Sequence, residues 1–300
     1  MGEQFWWFYD VIALAVIFTC VFISARKGAM HAVSMLIAYV LAFGIAFSFS
    51  AALGGAIADN MITNSNTKKI NTSLSGYKFT TKVAEYINTL DYGVNVEAKQ
   101  LEEIYSGNKN YNEELLKYIN NRKGKKVEED PMRFEKRMNE EYSQIMRSIV
   151  GENLNKYSAE VAAKKVIDDP ETFNELIPMM LNKDDKSEAA EYISENYVQE
   201  AYETISKLIC FIIMFTLAFI ALLMFFRSML GNQYHEMRIP AHVGGALIGI
   251  PKGIILCFAV AAVIRLYVVL GSDEMLFFNF NAIDKTYIFK HMYNNVADMM

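Results

Sequence analysis

Four runs of apolar residues, each near or above the length of a bilayer crossing, set the terms on which this chain can fold. A hydrocarbon core about 30 Å thick takes about 20 helical residues. The runs lie near 5–24, where only Asp10 is charged; 32–58, which has no charge; 205–226, dense in Phe, Leu, Ile and Met; and 240–270, which holds Pro251, Lys252 and Arg265. About three quarters of the charged residues fall instead between 59 and 203. One part of the chain is therefore built for lipid and another for water. The expected fold is all-α: a four-span transmembrane helical bundle with a large helical soluble insert between spans 2 and 3. Residues 1–58 form a transmembrane hairpin, 59–204 a helical domain, 205–271 spans 3 and 4, and 272–300 a C-terminal tail.

The first run does not read as a signal peptide. Glu3 precedes it, it is too long for the apolar part of a leader, and the basic pair Arg26 and Lys27 follows it. Trp6, Trp7 and Tyr9 suit a membrane interface. Lys and Arg in short loops mark the cytoplasmic side, and the two short loops, 25–31 and 227–239, carry Arg26, Lys27, Arg227 and Arg238. The N-terminus, the insert and the C-terminus are then expected outside. Long translocated domains escape the rule, so the lysines of the insert do not oppose this.

In the second span Ser34, Ala38, Ala42, Ala46, Ser50 and Gly54 recur at every fourth residue, and Gly245, Gly249 and Gly253 repeat the device in the fourth. Small residues on one ridge let helix backbones approach closely, so these two spans are expected to touch through them. Gly244-Gly245 followed by Pro251-Lys252 suggests a kink or a short re-entrant piece, with Lys252 snorkelling to the cytoplasmic surface. Asp10 and Arg265 are at similar depth on this topology, and a charge inside a span is costly unless paired. They are expected to form a membrane ion pair, with outward snorkelling of Arg265 as the alternative.

Apolar residues of the insert follow helical spacing. Asp130-Pro131 reads as a helix start, with Phe134, Met138, Tyr142, Ile145 and Ile149 on one face and Gly151 as the stop. Asp169-Pro170 starts a second helix containing Phe173 and Leu176, and shorter ones are expected near 81–90, 98–105 and 113–120. Residues 60–69 read as a polar linker and 121–129 as a charged loop. From 187 to 228 there is neither Gly nor Pro, which predicts one long helix through span 3, or two with a break near Thr204.

The net charge of −5 is acidic and scattered, which disfavours nucleic acid as a partner. Cys20, Cys210 and Cys257 lie in apolar runs, and none of the four histidines, His31, His235, His242 and His291, lies in the insert. The insert thus lacks the residues of a Ser-His-Asp or Cys-His site and of a zinc site. No catalytic, cofactor or metal residues are expected. The partners left are the lipid bilayer, an envelope or secreted protein bound through 60–204, and other copies of the chain.

Tyr9-Asp10-Val11-Ile12, continuing through Ser24-Ala25-Arg26-Lys27-Gly28 into the small-residue span, resembles the opening of the colicin V production protein family. The stretch from Pro240-Ala241-His242-Val243-Gly244-Gly245 to Gly249-Ile250-Pro251-Lys252-Gly253 resembles that family's glycine-spaced approach to its last span. The resemblance covers the spans and leaves the insert unmatched. It implies a four-span protein of the bacterial plasma membrane, linked to toxin production or export and to envelope upkeep. The expected role is a non-enzymatic scaffold or accessory factor; the alternative is a transporter or channel component using a broken fourth span.

Overall fold

The computed structural model describes residues 5–107, 110–123, 129–230, 239–271 and 280–300, all helix or short connection, with no strand among the described residues. The chain divides into two compact units, Met1–Ala58 with Glu203–Met300, and Asp59–Tyr202.

The first unit holds four helices long and apolar enough to cross a membrane. Helix α1 (Trp7–Lys27) meets α2 (Ala29–Ile57) across Gly28 alone. Gly28 has φ 78°, a conformation that costs glycine little. Its N–H donates to the carbonyls of Ser24 (3.0 Å) and Ala25 (3.4 Å), which closes the end of α1. The loop expected at 25–31 is thus one residue: Arg26 and Lys27 end α1, and His31 lies in the first turn of α2. The other expected loop falls mostly outside the described residues, with His235 and Arg238.

The spans are inverted relative to a water-soluble bundle. Ala13, Ala38, Ala42 and Ala46 are buried, while Phe18, Phe22, Leu217 and Leu247 face outward. Small residues inside let helices approach, and large apolar ones outside suit lipid. The spans were expected somewhat shorter: α1 and α2 extend to the Gly28 turn because it satisfies their terminal groups. The fourth span, α12 (Ile239–Leu270), is one unbroken helix with Pro251 inside it, so the re-entrant reading is wrong. Proline deprives only the carbonyl four residues earlier, at Leu247. Gly249 and Gly253, on either side of Pro251, both pack against the α1 backbone.

After α12 come α13 (Phe280–Asp284) and α14 (Phe289–Met299). The C-terminus is therefore not a bare tail. Phe289, Met292, Tyr293 and Val296, spaced as one helix face, are buried in the same core as Tyr9, Ala46, Cys257 and Ala261.

The second unit begins with α3 (Thr63–Ser75), where a polar linker was expected; Ile70 and Leu74 anchor it in the unit's core. There follow α4 (Phe79–Thr89), α5 (Ala98–Tyr105), α6 (Tyr111–Lys123), α7 (Pro131–Asn153), α8 (Lys156–Asp168), α9 (Pro170–Leu181) and α10 (Ser187–Ile193). Asp130, Asn155 and Asp169 cap α7, α8 and α9 through their side chains. Gly151 does not stop α7, because α7 and α8 pack closely there and a Cβ on Gly151 would reach Ala159 at 3.5 Å. Of the expected loop at 121–129, residues 121–123 belong to α6 and 124–128 lie outside the described residues. From Ser187 to Met229 the backbone stays helical, with a π turn at Ser194–Val198. Thr204 lies within α11 (Gln199–Leu230), with no break there.

Asp169 accepts from the Thr172 N–H (3.3 Å) and hydroxyl (2.5 Å), and these bonds hold its carboxyl below the usual aspartate range. Asp169→Ala is expected to cost about 1 kcal/mol, seen as faster amide exchange along α9. A carboxyl lowered in the folded state stabilises fully above its unfolded value. The gap between wild type and variant should close as the pH falls below about 4.

Candidate functional site

The polar and glycine residues of the membrane unit converge on α1. A Cβ on Gly245 would meet the Ser24 carbonyl oxygen at 2.3 Å, one on Gly249 the Cα of Val21 at 2.5 Å, and one on Gly253 the Cα of Ile17 at 2.7 Å. Three glycines at every fourth residue thus seat α12 backbone to backbone on α1. Spans α2 and α12 pack closely, as expected, but the three glycines themselves bear on α1 rather than on the small-residue face of α2. Ala38, Ala42 and Ala46 are fully buried, and Gly54 lies against α11, where a Cβ would be 2.5 Å from the Cγ of Lys207. Ser34 bonds only its own helix, at the Met30 carbonyl (3.1 Å). Ser50 is buried, donates to the Phe47 carbonyl (2.8 Å), and lies 3.9 Å from the Met300 sulfur. Where α2 meets α12, Ala42 and Ala46 share one core with Cys257, Ala261 and Ala262, and Phe43 meets Phe258 edge to face at 6.2 Å. Spacing alone reveals a small ridge but not which neighbour it receives.

Lys252 does not snorkel. It is 5% exposed, its ammonium donates to the Ser24 hydroxyl oxygen (2.9 Å), and it sits 5.6 Å over the Tyr39 ring. One side chain from α12 therefore holds α1 and α2 together, with no ion pair to Lys252 among the described residues. Beside it, a ring nitrogen of His242 is 2.8 Å from the Ala25 carbonyl oxygen. A buried charge that loses its partner is far more costly than one replaced by an apolar chain of similar size. Ser24→Ala is expected to destabilise by about 2 kcal/mol, whereas Lys252→Met is expected to be neutral or stabilising. Thermal unfolding in detergent checks the pair; equal losses in both variants would contradict this asymmetry.

At the other end of α1, Asp10 and Arg265 do not form the expected ion pair. The carboxyl of Asp10 accepts three backbone N–H groups at the start of α14: Tyr287 (2.8 Å), Ile288 (3.0 Å) and Phe289 (2.9 Å). The Thr286 hydroxyl oxygen accepts a fourth N–H of this helix start, that of Lys290 (2.8 Å). The free donors of a helix start hold a carboxyl more effectively than one flexible guanidinium does, because they are fixed and several. Around this clamp Tyr9 stacks on Phe289 at 5.3 Å and Trp6 meets Tyr287 edge to face at 5.5 Å. Arg265 is half-buried on the same face of α12 as the buried Ala261, Ile264 and Val269. Its guanidinium lies 5.5 Å over the Tyr293 ring of α14, and its Nε is buried without a hydrogen-bond partner. The docking of α14 was missed in the sequence, although Phe289, Met292, Tyr293 and Val296 follow the i, i+3, i+4, i+7 pattern.

In the second unit, buried hydroxyls form a chain: Tyr105 and Tyr142 are 2.8 Å apart, and Tyr142 donates to Asn112 (2.9 Å). Burial pushes both phenols above the ordinary tyrosine value, so they remain neutral hydrogen-bonding groups. A cleft of about 580 Å³ beside them is lined by Asn110, Asn112, Lys117, Asn120, Glu135 and Asn174 among others. The described residues contain no cluster of His, Cys, Asp or Glu that could hold a metal ion. All three cysteines are free and buried. No family model, no curated protein and no solved structure matches this chain.

Proposed function

We propose that the chain is a non-enzymatic membrane scaffold or accessory factor of the colicin V production type, acting in toxin production or export and envelope maintenance. Its four-span unit is the anchor, and its helical unit of residues 59–202 binds an envelope or secreted protein. The observation that carries this reading is the use of the buried polar groups. Asp10 is spent on clamping α14 and Lys252 on tying α1 to α2, while three glycines lock α12 onto α1. Charges committed to holding helices together serve a fixed shape, whereas a carrier needs its intramembrane charges available to substrate. The unbroken α12 also lacks the interrupted helix on which the transporter reading relied.

In this proposal the protein lies in a bacterial plasma membrane, with the N-terminus, the helical unit and the C-terminus on the outer face. The sidedness follows from Arg26, Lys27, Arg227 and Arg238. Protease added to intact right-side-out spheroplasts is expected to cut within 59–202; cleavage only after lysis would reverse the topology. Cross-linking in native membranes followed by mass spectrometry is expected to capture a reproducible protein on the same unit. Absence of such a partner, together with ion flux in liposomes that Arg265→Ala abolishes, would replace the scaffold by a channel.

A further inference from the structure

We propose that Arg265 is the anchor of a binding site for a phosphate oxyanion, at the end of the membrane bundle beneath α14. The guanidinium belongs to the buried face of α12, five residues before Leu270, about 8 Å inside the helix end. A charge at that depth in a span requires a counter-charge or water. Asp10 makes no ion pair with Arg265; its carboxyl lies against the N–H groups of α14 instead. Among the described residues Arg265 has no ion pair, and its Nε is buried with no acceptor. One side of the guanidinium is closed by the Tyr293 ring. The side chain is nevertheless only half-buried, so a ligand can reach it.

The chemistry that completes this arrangement is a compact oxyanion with several acceptors. The planar fork of arginine presents parallel N–H groups that match two oxygens of a phosphate. The phosphate can belong to an anionic phospholipid headgroup or be free in solution. The proposal does not depend on what the second unit binds.

The test uses the full chain purified in neutral detergent, in two arms. In one, inorganic phosphate is titrated against chloride at equal ionic strength. In the other, the protein is transferred to nanodiscs of phosphatidylcholine with or without phosphatidylglycerol. The thermal midpoint is expected to rise by about 5 °C or more at saturation in one arm, which identifies the source. Arg265→Gln should lose the rise, Arg265→Lys should keep a smaller one, and Arg26→Gln, at the far end of α1, should keep it whole. No rise in either arm, or an equal rise in Arg265→Gln, overturns the site. Should Arg265→Gln not accumulate, the lysine variant decides: a shift as large as in wild type rules out recognition by the fork, and a reduced one supports it.

Discussion

Gly249→Leu is expected to prevent the membrane unit from assembling, and Gly249→Ala to cost it about 3 kcal/mol. Even a methyl group at this position would lie 2.5 Å from the Cα of Val21 and 2.9 Å from the Cys20 carbonyl oxygen. Neither contact is with a flexible side chain, so relief requires α1 and α12 to separate along their length. Separation loses close packing at Gly245 and Gly253 as well, and stretches the bond between Lys252 and Ser24. Gly44→Ala and Gly55→Ala are the controls: neither Cβ would meet anything within 4 Å, and alanine favours helix. Thermal midpoints in detergent are expected to fall sharply for the Gly249 variants and to hold or rise for the controls. A Gly249→Leu protein that melts like wild type would mean the glycine seam does not form.

Asp10→Ala is expected to release α14. The substitution leaves three backbone donors without their acceptor, a loss of at least about 3 kcal/mol. An isolated helix of 11 residues is too short to persist in water by itself. Residues 289–299 should therefore lose amide-exchange protection while α1 and α12 keep theirs. Tryptophan emission should also change, since Trp6 loses its contact with Tyr287. Asp10→Asn, which retains one carbonyl acceptor and introduces donors facing donors, is expected to retain only part of the protection. Unchanged exchange at 289–299 in Asp10→Ala would remove the clamp as an explanation of how the C-terminus docks.

The two substitutions bear on different levels of legibility. The glycines of α12 announce close packing through their spacing, but which helix they receive depends on how four helices share one bundle. Periodicity on a single helix carries no information about its neighbour. Asp10 reads in the sequence as an intramembrane acid needing a cation, and Arg265 is the obvious candidate by depth. That inference omits the backbone: the start of α14 offers donors already fixed in space, and nothing in the sequence places residue 287 beside residue 10. Lys252 was likewise read from its position in the chain as a surface-seeking lysine, whereas the packing of α1, α2 and α12 buries it. In the second unit, capping residues signalled where α7 and α9 begin. Gly151 misled because α8 packs closely against α7 at that point.

What the sequence determined by itself was therefore part of the inventory of elements: four membrane-length helices, and several helices of the charged middle, with the starts of α7 and α9. Those properties depend on local chemistry, on runs of apolar residues, on spacing along one helix and on capping side chains. The tertiary structure alone decided the partnerships: the glycine ridge on α1, the ammonium of Lys252 between spans, the carboxyl of Asp10 on the start of α14. Each joins residues more than 200 positions apart, and a polar group buried with few acceptors takes whichever fixed partner the assembled bundle brings within about 3 Å.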